Sequence, residues 1–437
     1  MAQPLRVGVA GLGTVGAALV AQIRRERSEI AARCEREIEV VAVSARSRRK
    51  DRGVELGGIR WCDDPVALAR DEAIDVFVEL MGGAGDPAKA AVEAALAAGK
   101  SVVTANKALL SAHGIRLALL AEKSGVALNF EAAIAAAIPI VKTLREGLAG
   151  NRITRVYGIF NGTCNYILTR MEQARLPFAE CLKEAQRLGY AEADPTFDID
   201  GHDAAQKLSI LAALAFGTKV DAGAVFVEGI SSIQPADLTA ADELGYRVKL
   251  LGVALRTPKG IEQRVHPTMV RKDSAIAQVM GVTNAVTVDA EGLDPLTLVG
   301  PGAGGPATAS AVLSDIVDIA RGLRVAPFGR PAGRLAAVRK APMQRHEGGY
   351  YIRLLARDRP GTAAAIARRL AEQRISIESI VQRHPTGEPV GEAAEGAVPV
   401  ILITYATTED AVRKALAAVG RDRVISGQPQ VIRIEKN

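Results

Sequence analysis

The sequence predicts an α/β protein built from three parts. The N-terminal part is predicted to be a Rossmann-type parallel sheet, because residues 5–10 form an apolar strand pattern that leads into a glycine-rich turn and a helical pattern. From Tyr350 onwards the pattern has the βαββαβ order of a ferredoxin-like domain. The residues in between predict an α+β domain. A chain of 437 residues is long enough for each part to have its own core.

The composition is that of a soluble globular protein, with 48% hydrophobic and 24% charged residues. The net charge of +6 is spread along the chain without a basic surface interleaved with aromatic residues, so no nucleic-acid partner is expected. The longest alanine-rich apolar run, residues 132–141, is too short to cross a bilayer. We therefore expect a cytoplasmic protein without a membrane partner. The four cysteines are Cys34, Cys62, Cys164 and Cys181, and they form no CxxC pair. Their spacing therefore predicts neither a zinc site nor a disulfide framework.

The glycine-rich turn after the first strand is typical of a dinucleotide-binding loop. Gly11 allows the tight turn, Gly13 lets the backbone approach a pyrophosphate, and Gly16 lets the helix pack closely on the strand. The anion would then lie at the helix N-terminus, beside Thr14 and Val15. A purely structural tight turn is the alternative.

The end of the second predicted strand favours NADP over NAD as the cofactor. NAD-binding proteins usually place an acidic residue there for the ribose 2′-hydroxyl. This chain has Ser44, followed by Arg46 and Arg48 and then two further basic residues, with no acid among them. Such a cluster suits a 2′-phosphate, although NAD stays open and a solvated basic loop is the alternative.

Two further strand patterns, residues 73–80 and 100–107, are separated by a predicted helix over residues 86–99. This alternation predicts right-handed crossovers and a parallel sheet, in which ligands bind beyond the carboxyl ends of the strands. Lys107 lies at such an end and is therefore a candidate for the reaction cleft.

The most informative segment for function is residues 185–207. A surface does not need so many acidic residues ahead of an apolar helix, but a site that holds an ammonium group does. Asp203 and Lys207 are four residues apart and share one face of a helix. An acidic loop that caps a helix is the alternative, but capping does not explain all of these residues together. The acids are Glu192, Asp194, Asp198, Asp200 and Asp203.

The spacing in this segment (Ala185, three residues, Gly-Tyr, then Asp-Pro, Asp-Ile-x-Gly-x-Asp, three residues and Lys) resembles the signature of homoserine dehydrogenases. The resemblance implies reversible NAD(P)H-dependent reduction of L-aspartate 4-semialdehyde to L-homoserine, in threonine, methionine and isoleucine biosynthesis. It implies that Glu192 and Asp203 bind the substrate ammonium, supported by Asp198. Lys207 would give a proton to the forming alkoxide, and Lys107, in a TANKALL segment similar to that of the family, would stabilise the same oxygen.

Other segments carry the same resemblance. The turn over residues 161–165 matches the family's NGTxN pattern, which implies that Gly162 and Thr163 seat the substrate carboxylate; a plain helix N-cap is the alternative. The loop over residues 298–320 is similar to one that closes over the cofactor, although Ala307 stands between Pro306 and Thr308. The remaining implied contacts are Tyr190 for the substrate, and Lys107, Gly189 and Gly304 for the cofactor, with Lys107 on the nicotinamide side.

The segment after Phe130 resembles the family's sodium loop, in which backbone carbonyls hold the ion. The implied ligands are Glu131, Ile134, Ala136 and Ile138. The chain departs from the more glycine-rich family pattern by two alanines and two isoleucines, and a plain strand-to-helix junction is the alternative.

These patterns place a Rossmann domain at residues 1–135, completed by residues 302–322, and a substrate-binding and catalytic domain at residues 136–301. By family resemblance alone, the second domain also forms a homodimer or tetramer. Residues 323–348 are Pro-rich and basic and predict a linker.

Residues 349–437, with a long polar loop at 384–396, resemble an ACT domain because the first strand leads into Asp358–Gly361 (DRPG). The resemblance implies threonine sensing, and a structural dimerisation module is the alternative. Because a linker precedes this domain, a chain that ends near His346 is expected to stay soluble and catalytic.

Two other functions remain open from the sequence. The first is another Rossmann oxidoreductase that acts on an amino-acid aldehyde, which would lack the Asp-Pro to Lys segment. The second is a non-enzymatic NAD(H) sensor, which would need a DNA-binding module that the sequence does not indicate.

Overall fold

The computed structural model describes residues 3–343, 346–382 and 397–435. The polar loop predicted at residues 384–396 lies outside the described residues. Within these ranges, no helix combines the length and the apolar character that a membrane crossing requires.

The N-terminal part is a parallel sheet flanked by helices. Its strands lie in the order β3-β2-β1-β4-β5-β6, and every neighbouring pair is parallel, which confirms the predicted Rossmann-type sheet. Its elements are β1 (Leu5–Ala10), α1 (Thr14–Arg25), α2 (Arg27–Cys34), β2 (Ile38–Ser44), β3 (Arg60–Cys62), α3 (Pro65–Arg70), β4 (Val76–Glu79), α4 (Ala88–Ala97), β5 (Ser101–Thr104), α5 (Lys107–Ser124) and β6 (Leu128–Asn129).

The middle part combines helices with a mostly antiparallel sheet. Its elements are α6 (Ala132–Ala135), α7 (Ile140–Lys142), β7 (Ile153–Ile159), α8 (Gly162–Ala174), α9 (Phe178–Arg187), α10 (Thr196–Ile199), α11 (His202–Phe216), β8 (Phe226–Val227), α12 (Pro235–Glu243), β9 (Tyr246–Thr257), β10 (Gly260–Arg271), β11 (Thr283–Ala290), β12 (Leu293–Pro301) and α13 (Gly305–Ala320).

Helices α11 and α13 position the site between these two parts. Helix α11 is almost entirely buried, which fits its apolar sequence after Lys207. Helix α13 returns to the N-terminal part, where Ala309, Val312 and Ile316 pack in one core with Leu19 of α1. The burial of this apolar face explains why α13 belongs to the Rossmann core although it lies far along the chain.

The C-terminal part has the predicted βαββαβ order, with one additional short strand. Its elements are β13 (Glu347–Arg357), α14 (Thr362–Glu372), β14 (Ile377–Gln382), β15 (Ala397–Thr404), β16 (Thr407–Thr408), α15 (Glu409–Arg421) and β17 (Ile425–Ile434).

The middle and C-terminal parts share one sheet. Its order is β12-β11-β7-β9-β10-β17-β13-β15-β14, and β17 joins β10 through the parallel pairs Thr268 with Arg433 and Met269 with Ile434. The C-terminal part is therefore an extension of the middle sheet.

The segment expected to be a linker is packed against the rest of the protein. Phe328, Ala332 and Leu335 are buried, and the Phe328 ring lies 5.4 Å from the ring of Phe130. A β-bridge also joins Ala336 to Thr218. The proline-rich, basic composition predicts a linker, but these apolar side chains pack residues 323–343 against the other domains.

Candidate active site

Both predicted catalytic lysines, Lys107 and Lys207, line a cleft of about 300 Å³ between the N-terminal and middle parts. The cleft lies at the carboxyl ends of β1, β4 and β5, where a parallel sheet presents its ligands. Its lining includes Val15, Met81, Gly82, Asn106, Lys107, Ile134, Ala136, Lys207, Gly302 and Thr308.

The glycine-rich turn has the geometry that its sequence predicts. Gly11 has φ +103°, and a Cβ on it would lie 2.4 Å from the Leu80 carbonyl oxygen. A Cβ on Gly16 would lie 2.0 Å from the Gly11 carbonyl oxygen, whereas the space around Gly13 is open. No side chain caps α1, so its first backbone N–H groups are available to an anion. The loop before α13 packs on this turn, because a Cβ on Gly305 would lie 2.8 Å from Thr14.

The basic residues after β2 lie on the surface beside this turn. Arg46 and Arg48 are exposed. Arg52, which the sequence reading missed, donates from Nε to the Leu12 carbonyl at 3.0 Å and stacks over Trp61 at 5.5 Å. It thereby joins the basic loop to the glycine-rich turn.

Lys107 and Lys207 converge on one carboxylate. Lys107 Nζ lies 3.1 Å from Asp203 Oδ1, and Lys207 Nζ lies 2.8 Å from Asp203 Oδ2. Lys207 Nζ also donates to the Phe160 carbonyl at 2.8 Å. Burial alone would raise the pKa of Asp203, but the two ammonium groups outweigh it and lower that pKa to about 2. Asp203 is therefore ionised throughout the neutral range.

The start of α5 fixes the position of Lys107. Asn106 caps the helix, because its Oδ1 accepts from Leu109 N at 3.0 Å, and its Nδ2 donates to the Gly83 carbonyl at 2.7 Å. Lys107 is thus the first residue of a helix that begins at the carboxyl end of β5.

The NGTxN turn joins the same network. Asn161 Nδ2 donates to Asp198 at 2.8 Å and to Asp203 at 3.0 Å, and Thr163 Oγ1 donates to the Tyr190 carbonyl at 2.6 Å. Burial, followed by the nearby charge of Asp203, raises the pKa of Asp198. Asn161 was not among the predicted contacts, although it belongs to the turn that the sequence singled out.

Two predicted substrate contacts lie at the surface. Glu192 is exposed, and within the described residues no hydrogen bond or ion pair joins its side chain to Asp203 or Lys207. Tyr190 is 43% exposed, and its ring packs on Tyr166 at 4.9 Å. Gly189 has φ +76° and open space around it. The loop that carries these residues must approach Asp203 if Glu192 is to share a ligand with it.

The segment predicted to hold sodium is buried beside the cleft. The Glu131 carboxylate accepts from Val141 N and Lys142 N, both at 2.8 Å, and burial raises its pKa to about 7. Glu131 N donates to Asp315, and burial raises the pKa of that carboxyl to about 8. Among the described residues no cluster of three or more His, Cys, Asp or Glu could hold a metal. A cation here would therefore depend on backbone carbonyls, including that of Ala136, which has φ +46°.

Comparison with protein families accounts for most of the chain. The matches are to Homoserine dehydrogenase over residues 139–317, to Homoserine dehydrogenase, NAD binding domain, over residues 11–131, and to ACT domain over residues 350–421.

Full-length relatives give the same result. Homoserine dehydrogenases from Neisseria gonorrhoeae and Pseudomonas aeruginosa are each 43% identical, over 99% of this chain and 99% of their own. The solved structure of a homoserine dehydrogenase from Thiobacillus denitrificans is 43% identical with a TM-score of 0.92, covering 99% of this chain and 98% of that one. A hyperthermophilic archaeal homoserine dehydrogenase in complex with NADPH is 28% identical with a TM-score of 0.61, covering 72% and 97%.

Proposed function

This chain belongs to the homoserine dehydrogenase family of NAD(P)-dependent oxidoreductases, and from that membership we propose how its own residues perform the reaction, which cofactor it prefers and how it is regulated. The observation that carries the mechanism is the convergence of Lys107 and Lys207 on Asp203, in a cleft that faces the glycine-rich turn.

We propose that Lys207 is the proton donor. The nicotinamide cofactor supplies the hydride to L-aspartate 4-semialdehyde when it is bound. An ammonium group has three N–H donors, and two of those on Lys207 are directed at Asp203 and at the Phe160 carbonyl. The third is left for the substrate oxygen, which takes the proton as it becomes the hydroxyl of L-homoserine. Lys107 stabilises the negative charge on that oxygen, and Lys207 regains its proton from water.

The substrate ammonium and carboxylate are assigned to different groups. Asp203 and Asp198 supply negative charge for the ammonium, and Glu192 joins them when its loop closes. Gly162 and Thr163 at the start of α8 seat the carboxylate, because helix N-termini favour anions. If Glu192 has this role, Glu192→Ala should raise the Michaelis constant for homoserine, and an unchanged constant would count against the assignment.

NADP(H) is the preferred cofactor in this proposal. Support comes from the exposed Arg46 and Arg48 beside the turn and from the absence of an acid at the end of β2, where Ser44 stands. The test is oxidation of NADPH and NADH with aspartate semialdehyde, for the wild type and for Arg46→Ala/Arg48→Ala. Loss of charge-assisted phosphate contacts of about 1.5–3 kcal/mol each should lower the NADPH preference. An unchanged ratio would leave the basic run as a solvated loop.

A sodium ion held by the carbonyl oxygens of Glu131, Ile134, Ala136 and Ile138 is also proposed. The support is the positive φ of Ala136, an uncommon conformation for a residue with a Cβ, and the engagement of the Glu131 carboxylate by backbone amides. If sodium binds here, activity should fall when a large organic cation replaces Na⁺ in the assay buffer, and it should return when Na⁺ is added back.

We propose that the protein is a cytoplasmic enzyme of threonine and methionine biosynthesis. We also propose that it is a homodimer whose interface is formed by β12. Strand β12 is the edge of the shared sheet, and Leu293, Leu296 and Val299 on it are 50%, 39% and 55% exposed. A long apolar edge strand is usually covered, and a second copy of the same strand is self-complementary across a two-fold axis.

Threonine regulation through the C-terminal domain is the last part of the proposal. The middle and C-terminal domains border an open cavity of about 1330 Å³ that is lined by the loop over residues 228–234, α15 and β17. That loop is joined to the substrate segment, because Ile230 N donates to the Ile199 carbonyl at 2.9 Å. A ligand in this cavity would contact both domains and the residues on either side of Ile230, whose hydrogen bond leads to Ile199, the neighbour of Asp198. The Asp358–Gly361 loop, which is exposed, is the other candidate seat.

Threonine titration of activity separates these alternatives. Coupling of about 1–3 kcal/mol would give several-fold to about 100-fold inhibition of the full-length enzyme. Ala417→Trp, which places an indole in the cavity, should abolish the effect if threonine binds there, and Asp358→Ala should abolish it if threonine binds at the loop. Lys414→Trp, at an exposed position on the same helix, is the matched control. Absence of any threonine effect in the wild type would leave the domain as a structural module.

A further inference from the structure

Lys249 on β9 is a buried lysine without an acidic partner. It is 1% exposed, and no carboxylate of the described residues forms an ion pair with it. Its Nζ donates to Asn165 Oδ1 at 2.9 Å and to the Val279 carbonyl at 2.5 Å. The nearest charged groups are Arg247 on the same strand and Glu172 on α8, which bind each other at 2.8 Å. Burying a charge in such surroundings is costly, and desolvation lowers the pKa of Lys249 to about 7.

Lys249 determines the orientation of the Asn165 amide. Asn165 is the last residue of the NGTxN turn and is 1% exposed. Its Nδ2 donates to the Val279 carbonyl at 3.2 Å and to the Thr283 carbonyl at 3.1 Å. Lys249 donates to the amide oxygen and the two backbone carbonyls can only accept, so together they hold the amide with its oxygen facing Lys249 and its nitrogen facing the carbonyls. Without Lys249 this oxygen would be buried and unpaired, and a flipped amide would leave the carbonyls unpaired instead.

The segment over residues 279–283 supports the substrate turn from behind. A Cβ on Gly162 would lie 2.7 Å from the Val282 carbonyl oxygen, and Gly281 N donates to Thr169 Oγ1 of α8 at 3.1 Å. This segment therefore packs directly against the first turn of α8. A displacement of the segment would move Gly162 and Thr163 with it.

We propose that Lys249 is a positioning residue for substrate binding: through the Asn165 amide it fixes the first turn of α8 against residues 279–283, so that Gly162 and Thr163 meet the substrate carboxylate. The inference rests on the carboxylate seat proposed above. Lys249 does not touch the substrate, and its effect is on binding of homoserine, not on the cofactor.

The test compares two buried lysines. Lys249→Met keeps the length of the side chain and removes the charge and the donors. Lys100→Met is the matched control, because Lys100 is 8% exposed and its Nζ donates to the Ile74 carbonyl at 3.2 Å in the other half of the molecule. We expect Lys249→Met to raise the homoserine Michaelis constant about tenfold, with the constant for NADP within about twofold of wild type. Lys100→Met should leave the homoserine constant unchanged.

A double-mutant cycle tests the route through Asn165. Asn165→Ala alone should raise the homoserine constant, and adding Lys249→Met should raise it little further, because both changes break one linkage. The inference would be overturned if the two substitutions had additive effects. It would also be overturned if Lys249→Met kept the homoserine constant within about twofold of wild type, or if it changed the NADP constant equally. Lys249→Gln replaces Lys249→Met in the cycle if the latter does not fold. Thr163→Pro, which removes one backbone N–H from the first turn of α8, separates the two ideas: if it leaves the homoserine constant unchanged, the carboxylate seat fails, and if it raises that constant while Lys249→Met does not, only the role of Lys249 fails.

Discussion

Asp203 balances two lysines with a single negative charge. Its carboxylate binds Lys107 through one oxygen and Lys207 through the other, so the three groups together carry a net positive charge. That charge favours an oxygen that becomes negative during hydride transfer. A substrate ammonium that binds Asp203 would weaken its hold on the lysines, and their N–H groups would then turn to the substrate oxygen. In the proposed mechanism, Asp203 would thus connect substrate binding to proton transfer.

Lys207→Ala should remove most turnover and leave cofactor binding nearly unchanged. Loss of a general acid typically lowers the rate by about 10²–10⁴-fold, and Lys207 lies in the substrate half of the cleft. Steady-state assays would measure turnover, and fluorescence titration would measure NADPH binding. Lys219→Ala, an exposed lysine shortly after the same helix, is the control. Retention of more than half of the activity would contradict the assignment.

Lys249 should also affect how stability depends on pH. The pKa of Lys249 is lowered to about 7 in the folded protein, whereas in the unfolded chain it has the ordinary lysine value of about 10.4. Between these values the unfolded chain binds the proton and the folded protein does not, so stability from this residue rises with pH. Below pH 7 Lys249 is protonated in both the folded and the unfolded state, and the folded protein then bears the full cost of burying the charge.

The difference in unfolding free energy between wild type and Lys249→Met isolates this contribution, because other groups titrate alike in both proteins. From pH 7 to 9 the difference should change in favour of wild type by up to about 1.4 kcal/mol per pH unit. Urea unfolding at several pH values measures it. Parallel curves for the two proteins would show that Lys249 titrates normally.

Among the elements, those bounded by strong local signals were predictable. The apolar run before the glycine-rich turn predicted β1, and strands β4 and β5 formed within the predicted segments 73–80 and 100–107. The spacing of Asp203 and Lys207 predicted their shared helix face, and the ion pair in α11 has that geometry.

Elements that depend on distant partners were not predictable from local pattern. The pairing of β17 with β10 joins residues more than 160 positions apart, and no periodicity in either strand specifies the other. Residues 323–343 have the composition of a linker, yet Phe328 is buried by residues from other segments. Lys249 gains its role from contacts across the fold and carries no signal in isolation, whereas Asn161 lies in the turn that the sequence singled out.

The proposed β12 interface makes a prediction at the scale of one strand. Val299→Lys should convert the dimer to a monomer, because each copy would bury an unpaired charge in an apolar interface. Light scattering coupled to size-exclusion chromatography measures the change. Leu119→Lys, which alters a 46% exposed leucine on α5, should keep the dimer. A Val299→Lys protein that remains dimeric would place the interface elsewhere.

At the scale of the whole molecule, the C-terminal and middle domains share one core as well as one sheet. Tyr351, Ile432 and Ile434 belong to the same apolar cluster as the middle domain. Three ion pairs cross the boundary, and in each of them at least one side chain is buried. These pairs are Arg353 with Asp237 at 2.7 Å, Arg433 with Glu228 at 2.5 Å, and Arg264 with Glu435 at 2.8 Å.

Truncation after Met343 should therefore destabilise the remaining protein, in contrast to the soluble, catalytic chain expected from the linker composition alone. It would expose the side of β10 that pairs with β17 and remove Arg353, the ion-pair partner of the fully buried Asp237, at a cost of about 3–5 kcal/mol, while Arg264 would lose Glu435 but keep Glu262. An exposed strand edge also promotes aggregation. We expect lower soluble yield, a lower Tm and little activity.

Full-length Arg433→Met provides the graded comparison for this truncation. It breaks the ion pairs of Arg433 with Glu228 and Glu409 while the sheet stays closed, so its Tm should lie between those of the wild type and the truncated chain. Calorimetry and activity per folded molecule measure both variants. A truncated chain as stable and active as the full-length protein would show that the shared sheet adds nothing to folding of the catalytic half. In that case any threonine effect would have to pass through the loop over residues 228–234, and the contact between Ile230 and Ile199 would be the link to test next.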